Sequence, residues 1–259
     1  MKRTGSGAGH QSCPPVAWLA PATRFRCARP SKMWLIASAA ALACISPAGA
    51  ETLQYRLKWP SGVSLGTARI ESSGQVSDKP ADKPVAGLNT SMVLDASFPG
   101  VPVLGEFRSQ MNSKGCTQEF EKKLTLALRN SHEKTTVRAG KATRKTAQGG
   151  GESVISVGPC AFDALAYLQL FRRELKAGRA VKEQNILFGS QYAVRAVSAG
   201  KEQLTVGGKA QEADRYTFHV KGPASNSEFE ILFGRDEART PVEVRVTMGI
   251  GKFRLELVP

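Results

Sequence analysis

From residue 53 onward the chain alternates apolar with polar side chains, a pattern that excludes all-helical folds. Every second residue is apolar in Leu53–Trp59 and again in Val242–Met248. Shorter segments repeat this period at Leu124, Leu126 and Leu128, at Tyr216, Phe218 and Val220, at Phe229, Ile231 and Phe233, and at Phe253, Leu255 and Leu257. Because successive side chains of a strand point to opposite faces, the pattern predicts many short antiparallel strands with one buried face.

Glycine and proline residues separate the alternating segments. The predicted turns are Pro60–Gly62, Phe98–Gly100, Gly207–Gly208 and Gly249–Gly251. The last of these turns would join two strands into a C-terminal hairpin. Two polar stretches, Gln75–Gly87 and Lys141–Gly151, are predicted to be loops, the second because alanine is its only apolar residue type.

One segment, Asp163–Lys176, has the period of a helix. Its apolar stripe comprises Ala164, Tyr167, Leu168, Phe171 and Leu175. Asp163 stands at the N-cap position, and Gly178 stands where the chain leaves the helix. A general-base role is the alternative for Asp163, but capping explains this residue with fewer assumptions. We therefore predict a mainly β fold: a strongly curved antiparallel sheet or open barrel, with the helix at about 163–176 packed on it.

The first fifty residues have the features of an export signal. They contain six of the 36 Lys and Arg residues and none of the 22 Asp and Glu residues. The apolar run Met33–Ile45 is too short for a membrane span, which needs about 20 residues. Ala48 and Ala50 supply the small side chains of a signal-peptidase site. We expect cleavage between Ala50 and Glu51, with residues 51–259 forming a single β-rich domain. Lipidation at Cys44 is a rival interpretation, and the residues before it fit a lipobox poorly.

Two cysteines remain after this cleavage, Cys116 and Cys160. In an oxidising compartment a lone pair is most simply a disulfide, here closing a 44-residue separation. The alternative is two buried free thiols. A metal site is not expected from them, since no CxxC motif or histidine cluster completes a ligand set.

The segment Gly62–Gly66 matches the GxSxG motif of serine hydrolases, with Ser64 as the nucleophile. That mechanism needs the serine on a strand-to-helix turn, whereas a strand is expected to follow here. Only His132 and His219 remain as possible bases after cleavage, and both lie in strand-like segments. The sequence has no HExxH, GxGxxG or Walker A motif, so we expect no metal, cofactor or assigned catalytic residue.

Acidic and basic residues offer two further functional interpretations. Asp236 and Glu237 lie between Arg235 and Arg239 and are interpreted as a charged turn, while a catalytic acid pair cannot be recognised from sequence. Residues 114–145 hold nine Lys and Arg residues, and more follow around the helix. This basic flank is either a solvated surface or a site for lipid head groups or another anionic envelope polymer. The aromatic residues that nucleic-acid binders interleave with basic ones are missing.

Several segments of the chain resemble the exported bacterial family called domain of unknown function 3108. They are Tyr55–Trp59 with Gly62–Ala68, the helix Asp163–Arg172, Ile231–Asp236 with Arg239–Val242, and Gly251 with Leu255–Leu257. The helix keeps Asp163, Leu165, Leu168 and Arg172 of the family pattern. Ala166, Gln169 and Phe233 replace a serine, a tyrosine and a tryptophan of that pattern. The resemblance implies an exported, β-rich envelope protein, and it supplies no catalytic residues.

Three functional hypotheses follow. The first is a non-enzymatic envelope protein of the periplasm or cell envelope that binds a lipid or another envelope component on an apolar concave sheet. The second is an envelope hydrolase that uses Ser64 or an acid pair. The third is a structural partner protein that exposes a sheet edge for strand addition.

Overall fold

The structure of the protein is a computed structural model that describes residues 49–76, 87–98, 101–147, 149–248 and 251–259. The leader before residue 49, including Cys44, lies outside the described residues, as do most of the predicted loop Gln75–Gly87 and parts of the turns Phe98–Gly100 and Gly249–Gly251. In the part that the structure describes, no helix has both the length and the apolar character needed to cross a membrane.

The described residues form fifteen strands and one helix. In chain order these are β1 (Glu51–Lys58), β2 (Ser64–Ser73), β3 (Asn89–Phe98), β4 (Val101–Met111), β5 (Thr117–Leu126), β6 (Arg129–Arg138), β7 (Lys141–Thr146), β8 (Glu152–Ser156), β9 (Phe162–Asp163), α1 (Ala164–Lys176), β10 (Gln184–Leu187), β11 (Gln191–Val206), β12 (Lys209–Lys221), β13 (Asn226–Gly234), β14 (Pro241–Met248) and β15 (Gly251–Val258).

All fifteen strands belong to one sheet, in the order β8-β7-β6-β5-β4-β3-β2-β1-β15-β14-β13-β12-β11-β10-β9. Neighbours are antiparallel except β9 and β10, which are parallel. The sheet is therefore two meanders, β1–β8 and β10–β15, joined where β15 pairs with β1. Strands β8 and β9 are consecutive in the chain but stand at opposite ends of this order. The sheet is open and not closed into a barrel by pairing of its described strands, which confirms the predicted fold class.

The sheet curves enough to bring its two ends into contact. The backbone N–H of Thr117, at the start of β5, donates to the carbonyl oxygen of Ala161, just before β9, at 2.9 Å. Ala142 of β7 packs in one apolar cluster with Ala161 and Leu187 of β10. Right-handed twist accumulates across so many strands, and a sheet of this width must curl for its apolar face to be covered.

The alternation predicted from the sequence is visible in β1. Leu53, Tyr55 and Leu57 are buried, whereas the residues between them are exposed. Leu53 and Tyr55 of β1 form one cluster with Ala68 and Ile70 of β2, and Leu168 of α1 packs against it. The inner, concave face of the sheet is thus apolar, and α1 lies against it.

The helix is buried on more of its circumference than its predicted stripe implies. Tyr167, Phe171 and Leu175 are buried as expected. Ala164 is exposed, whereas Leu165 and Ala166 are buried. The single-stripe prediction was therefore incomplete, because the curved sheet contacts α1 from more than one side.

Two local predictions were wrong. Much of the expected loop Lys141–Gly151 is strand β7, which pairs with both β6 and β8. Its single buried side chain, Ala142, is 1% exposed, so the strand carries almost no apolar signal. Ala139 and Gly140 take φ values of 47° and 74° and form the two-residue turn that starts this hairpin. Leu128 was expected to continue a strand, but it lies in the turn after β5 and is 99% exposed.

Candidate functional site

A cavity of about 500 Å³ lies between α1 and the concave face of the sheet. The helix contributes Leu165, Tyr167, Leu168 and Phe171 to its wall. The residues that line it include no Asp, Glu, Lys or Arg among those the structure describes. Such a wall offers dispersion contacts and dry apolar surface, and it offers no charge to a ligand.

The sheet supplies the remaining wall from alternate positions of its strands. Ala68 and Ile70 of β2, Phe218 and Val220 of β12, and Phe229 and Ile231 of β13 line the cavity. Each pair is two residues apart and therefore faces the same side of its strand. The period-two pattern of the sequence thus makes this wall apolar.

Aromatic rings make one side of the cavity stiff. The Phe171 ring of α1 lies 4.9 Å from that of Phe218 and 5.2 Å from that of Phe233, centroid to centroid. Phe218 stacks in turn on Phe229 at 5.0 Å with an interplanar angle of 3°. Packing of this kind fixes ring positions and so gives the cavity a defined shape.

Four residues with hydroxyl groups, Tyr55, Tyr167, Tyr192 and Ser227, are among those that line the cavity. The Tyr55 hydroxyl donates to the carbonyl oxygen of Pro241 at 2.8 Å, and burial raises the pKa of Tyr55, a change that the charge of Arg172 opposes. The Tyr167 hydroxyl is buried and has no hydrogen-bond partner among the described residues. Burial raises the pKa of Tyr167 to about 12. Both phenols are therefore protonated at neutral pH.

Asp163 holds the start of α1 against the opposite half of the sheet. Its Oδ1 accepts from the backbone N–H groups of Leu165 and Ala166, at 2.8 and 3.1 Å. Its Oδ2 accepts from the hydroxyls of Ser109 on β4 and Thr117 on β5, at 2.5 and 2.7 Å. Complete burial raises the pKa of Asp163, while these four hydrogen bonds oppose the rise. With its carboxylate fully engaged by cap and strands, Asp163 is not presented as a general base.

Arg172 ties the same helix to the first strand. Its guanidinium donates two hydrogen bonds to the Glu51 carboxylate, at 2.6 and 2.7 Å, and a third to the carbonyl oxygen of Ala238. Arg172 is 7% exposed, so this pair is largely buried on the arginine side.

A second cavity, of about 350 Å³, is lined by Glu51, Arg172, Arg173 and Lys176, among other residues. Its lining therefore includes charged side chains, which the described lining of the first cavity does not.

Cys116 and Cys160 are joined by a disulfide, with their Cα atoms 5.0 Å apart. The bond lies beside the Asp163 hydrogen bonds, since Cys116 precedes β5 and Cys160 precedes β9. It therefore links two segments from opposite halves of the strand order.

The structure does not give Ser64 the environment of a hydrolase nucleophile. Ser64 is exposed and is the first residue of strand β2, so a strand follows it and not a helix. The two histidines lie in separate strands, where His132 contacts Glu121 at 2.7 Å and His219 contacts Glu228 at 3.1 Å. Within the described residues, no group of three or more His, Cys, Asp or Glu side chains is arranged to hold a metal ion.

The acidic pair between β13 and β14 serves the turn that joins these strands. Asp236 accepts hydrogen bonds from the backbone N–H and the hydroxyl of Thr240, at 3.0 and 2.7 Å. Glu237 is exposed and pairs with Lys176 at 2.7 Å. These contacts are those of a charged turn.

Much of the basic flank is paired with acidic neighbours. Lys122 pairs with Glu133 at 3.2 Å, and Lys134 pairs with Glu119 at 2.7 Å. Cross-strand ion pairs of this kind stabilise a sheet by modest amounts and reduce the field that a polyanion would meet.

Sequence reasoning did not identify the individual cavity residues. Phe188, in the turn after β10, lines the cavity and stacks on Phe107 of β4 at 5.8 Å, yet it stands in no alternating segment. Tyr167 was recognised only as part of an apolar stripe. The available signal was a tyrosine, with its polar tip, in the middle of that stripe.

Comparison with known proteins identifies the family of the chain and a solved structure with a similar fold. The model of the family described as protein of unknown function (DUF3108) matches residues 54–258. No curated protein matches the chain. The crystal structure of a beta-barrel-like protein of domain of unknown function DUF1849 from Brucella abortus is similar with a TM-score of 0.56 and 11% identity, over 82% of this chain and 97% of that chain. The lipoprotein LppX from Mycobacterium tuberculosis, at 12% identity over 81% of this chain and 85% of its own, reaches a TM-score of only 0.24.

Proposed function

The chain belongs to the family described as protein of unknown function (DUF3108), and we propose that it is an exported, non-enzymatic envelope protein that holds a lipid or other apolar ligand between α1 and the sheet. The observation that carries this proposal is the cavity of about 500 Å³ without a charged side chain in its described wall. Ligand cavities in proteins commonly measure about 300–1,000 Å³ and are lined mainly by apolar and aromatic residues.

The energetics favour an apolar chain as occupant. Each methylene group that moves from water to such a wall contributes about 0.8 kcal/mol. About ten methylene groups would contribute about 8 kcal/mol before the costs of ordering the ligand are subtracted. A polar metabolite would gain no such transfer free energy and would lose its hydration on entering the cavity.

Three observations support export. The basic, acid-free leader precedes the alternating region, and Gly49 and Ala50 are exposed and lie before the first strand. Strand β1 begins at Glu51, so cleavage between Ala50 and Glu51 would leave the whole sheet intact. The Cys116–Cys160 disulfide is of the kind that persists in oxidising compartments. We therefore propose that residues 51–259 are the mature domain and that the protein works in the periplasm or cell envelope.

The two other hypotheses have weaker support. A hydrolase would need Ser64 at a strand-to-helix turn, and Ser64 opens a strand. A strand-adding partner would need a free sheet edge of some length, whereas β8, the exposed strand at one end of the order, has only five residues. Loss of a measured esterase activity in Ser64→Ala, or a cross-linked envelope partner on β8, would favour one of these functions over ligand carriage.

A cavity-blocking variant tests the proposal. Val220 lines the cavity, whereas the adjacent Lys221 is exposed on the other face of β12. We expect Val220→Trp to weaken binding of phenylnaphthylamine, an uncharged apolar fluorescent probe, by about tenfold or more, which corresponds to about 1.4 kcal/mol. Lys221→Trp, the matched control, should bind the probe like the unmodified protein.

Circular dichroism of both variants checks that the fold is retained. Equal probe affinity in a folded Val220→Trp protein, or absence of binding by the unmodified protein, would contradict ligand carriage in this cavity.

A further inference from the structure

Five neighbouring hairpins of the sheet end at one side of it. They are β5–β6, β3–β4, β1–β2, β14–β15 and β12–β13, in the order in which they follow one another across the sheet. We call their ends the rim, which comprises residues 58–66, 96–98, 101–105, 124–131, 219–227, 247–248 and 251–254. Neighbouring hairpins contact each other there. The backbone N–H of Ala127 donates to the carbonyl oxygen of Pro102 at 2.9 Å, and the rings of Trp59 and Phe98 both pack edge-on against that of Phe253.

Apolar side chains at the rim are exposed to solvent. Leu128, in the two-residue turn between β5 and β6, is 99% exposed, and Leu126 before it is 46% exposed. Val63, in the turn before β2, is 61% exposed. Turns usually carry polar residues or glycine, because an exposed apolar side chain gains nothing from folding. Single residues of this kind are ordinary, but a group of them on one rim indicates a surface that a partner covers.

The rim carries basic residues and no acidic ones. Its residues include none of the 22 Asp and Glu residues of the chain. Its Lys and Arg residues are Lys58, Arg129, Lys221, Lys252 and Arg254. Two of them, Lys58 and Lys252, pair with acidic residues outside the rim, whereas the other three are exposed. The opposite side of the sheet differs, since the turn between β13 and β14 contains Asp236 and Glu237.

Exposed apolar tips beside basic side chains match the chemistry of a lipid surface. Apolar side chains at turns can insert between head groups, while lysine and arginine attract the phosphates of anionic lipids. The half-buried Trp59 is of a residue type that concentrates at membrane–water interfaces. We propose that the rim docks on the surface of an anionic lipid membrane, with Val63 and Leu128 among the head groups and Arg129, Lys221 and Arg254 facing the phosphates.

The rim adjoins the cavity that lies between α1 and the sheet. Val220 and Ser227, which pair across the β12–β13 hairpin, belong to the rim and also line this cavity. Ser227 is exposed, so the cavity extends to the rim at this hairpin. Docking would therefore bring this end of the cavity to the membrane from which a lipid could enter. This last step rests on the proposed function, whereas docking of the rim does not.

Flotation with lipid vesicles tests the docking. The protein is expressed as the full chain and purified from a bacterial periplasm. It is then mixed with vesicles of phosphatidylcholine alone or of equal parts phosphatidylcholine and phosphatidylglycerol. We expect tighter binding to the vesicles with phosphatidylglycerol, and a loss of this preference as the salt concentration rises.

Two pairs of variants locate the docking surface. Arg129→Glu should weaken binding to the anionic vesicles by about tenfold or more. Its control is Arg138→Glu, the same charge change at an exposed residue at the other end of β6. Leu128→Ser should weaken binding by about tenfold. Its control is Val154→Ser, since Val154 is 54% exposed but lies on β8, outside the rim. Both controls should bind like the unmodified protein, and circular dichroism checks that all four variants are folded.

The outcomes separate docking from ligand carriage. Absence of vesicle binding, or equal losses in a variant and its control, would overturn docking. So would a rim that captures an envelope protein but no vesicles. Binding of phenylnaphthylamine without vesicles is measured in parallel and should be unchanged in Arg129→Glu and Leu128→Ser. Probe binding without vesicle binding would leave carriage standing and overturn docking, whereas vesicle binding without probe binding would do the reverse.

Discussion

Replacement of Asp163 by alanine should produce a large loss of stability, because this one carboxylate joins α1 to two distant strands. The change removes the N-cap bonds to Leu165 and Ala166, which are worth about 1 kcal/mol and up to about 2. It also removes the acceptor of the Ser109 and Thr117 hydroxyls, which are 1% and 3% exposed as residues. A buried hydroxyl left unpaired costs about 1–3 kcal/mol.

The net loss is smaller than the sum of these contributions for two reasons. The Thr117 hydroxyl also accepts from the backbone N–H of residue 163 at 2.8 Å, and it keeps that bond in the variant. Removing the carboxylate also removes the cost of burying it, the effect that raises the pKa of Asp163. We therefore expect a loss of about 2–4 kcal/mol, against a total stability of about 5–15 kcal/mol for a protein of this kind.

Urea unfolding at pH 7, followed by circular dichroism, measures this loss as a shift of the midpoint at constant slope. Ser109→Ala supplies the control, since the two hydrogen-bonding partners should not contribute independently. The double variant of Asp163 and Ser109 should be more stable than the sum of the single effects predicts, by about 1 kcal/mol. A loss below about 1 kcal/mol in Asp163→Ala, or strict additivity of the two changes, would show that this carboxylate does not join helix and sheet.

Three further outcomes follow from the same structure. Burial raises the pKa of Asp163, so the folded state binds a proton at this carboxylate more readily than the unfolded state does. The stability of the unmodified protein relative to Asp163→Asn should therefore fall as pH rises from the ordinary carboxyl range through the raised pKa, and a flat or rising difference between their urea midpoints would contradict this. Reduction of Cys116–Cys160 should add the mass of two hydrogens and lower stability by about 4 kcal/mol, less if the native bond is strained; an unchanged mass would refute the disulfide. Arg172→Met should lower stability by about 1–3 kcal/mol, which is less than the loss for a fully buried ion pair because the Glu51 side chain is 30% exposed. Adding Glu51→Gln to this variant should recover part of the lost stability, and a double-mutant cycle measures the recovery.

The sheet itself was largely predictable from the sequence, because its signal is local. Alternation in β1, β12 and β13 marks their inner faces, and the turn at Gly207–Gly208 marks a hairpin between β11 and β12. Strand β7 was missed because its only buried side chain is an alanine, so its inclusion depends on neighbouring strands and not on its own apolar residues. Strand propensity is weak where tertiary pairing decides.

The arrangement of the site was less predictable, because it depends on contacts between distant residues. The N-cap role of Asp163 is a local property, and its position before the helix indicated it. Its bonds to Ser109 and Thr117 span 54 and 46 positions and arise only because the sheet curls. The pairing of β15 with β1 and the space left between α1 and the sheet are likewise properties of the assembled chain. No sequence period encodes the volume of a cavity.

The most direct measurement is native mass spectrometry of residues 51–259 produced in a bacterial periplasm, followed by solvent extraction of the protein and identification of the extract. Ligand carriage predicts a discrete adduct that extracts as an uncharged lipid and that Val220→Trp lacks while Lys221→Trp retains it. A clean apo mass for the unmodified protein, together with a cavity that binds no apolar probe, would contradict the account and point instead to a role in envelope interactions.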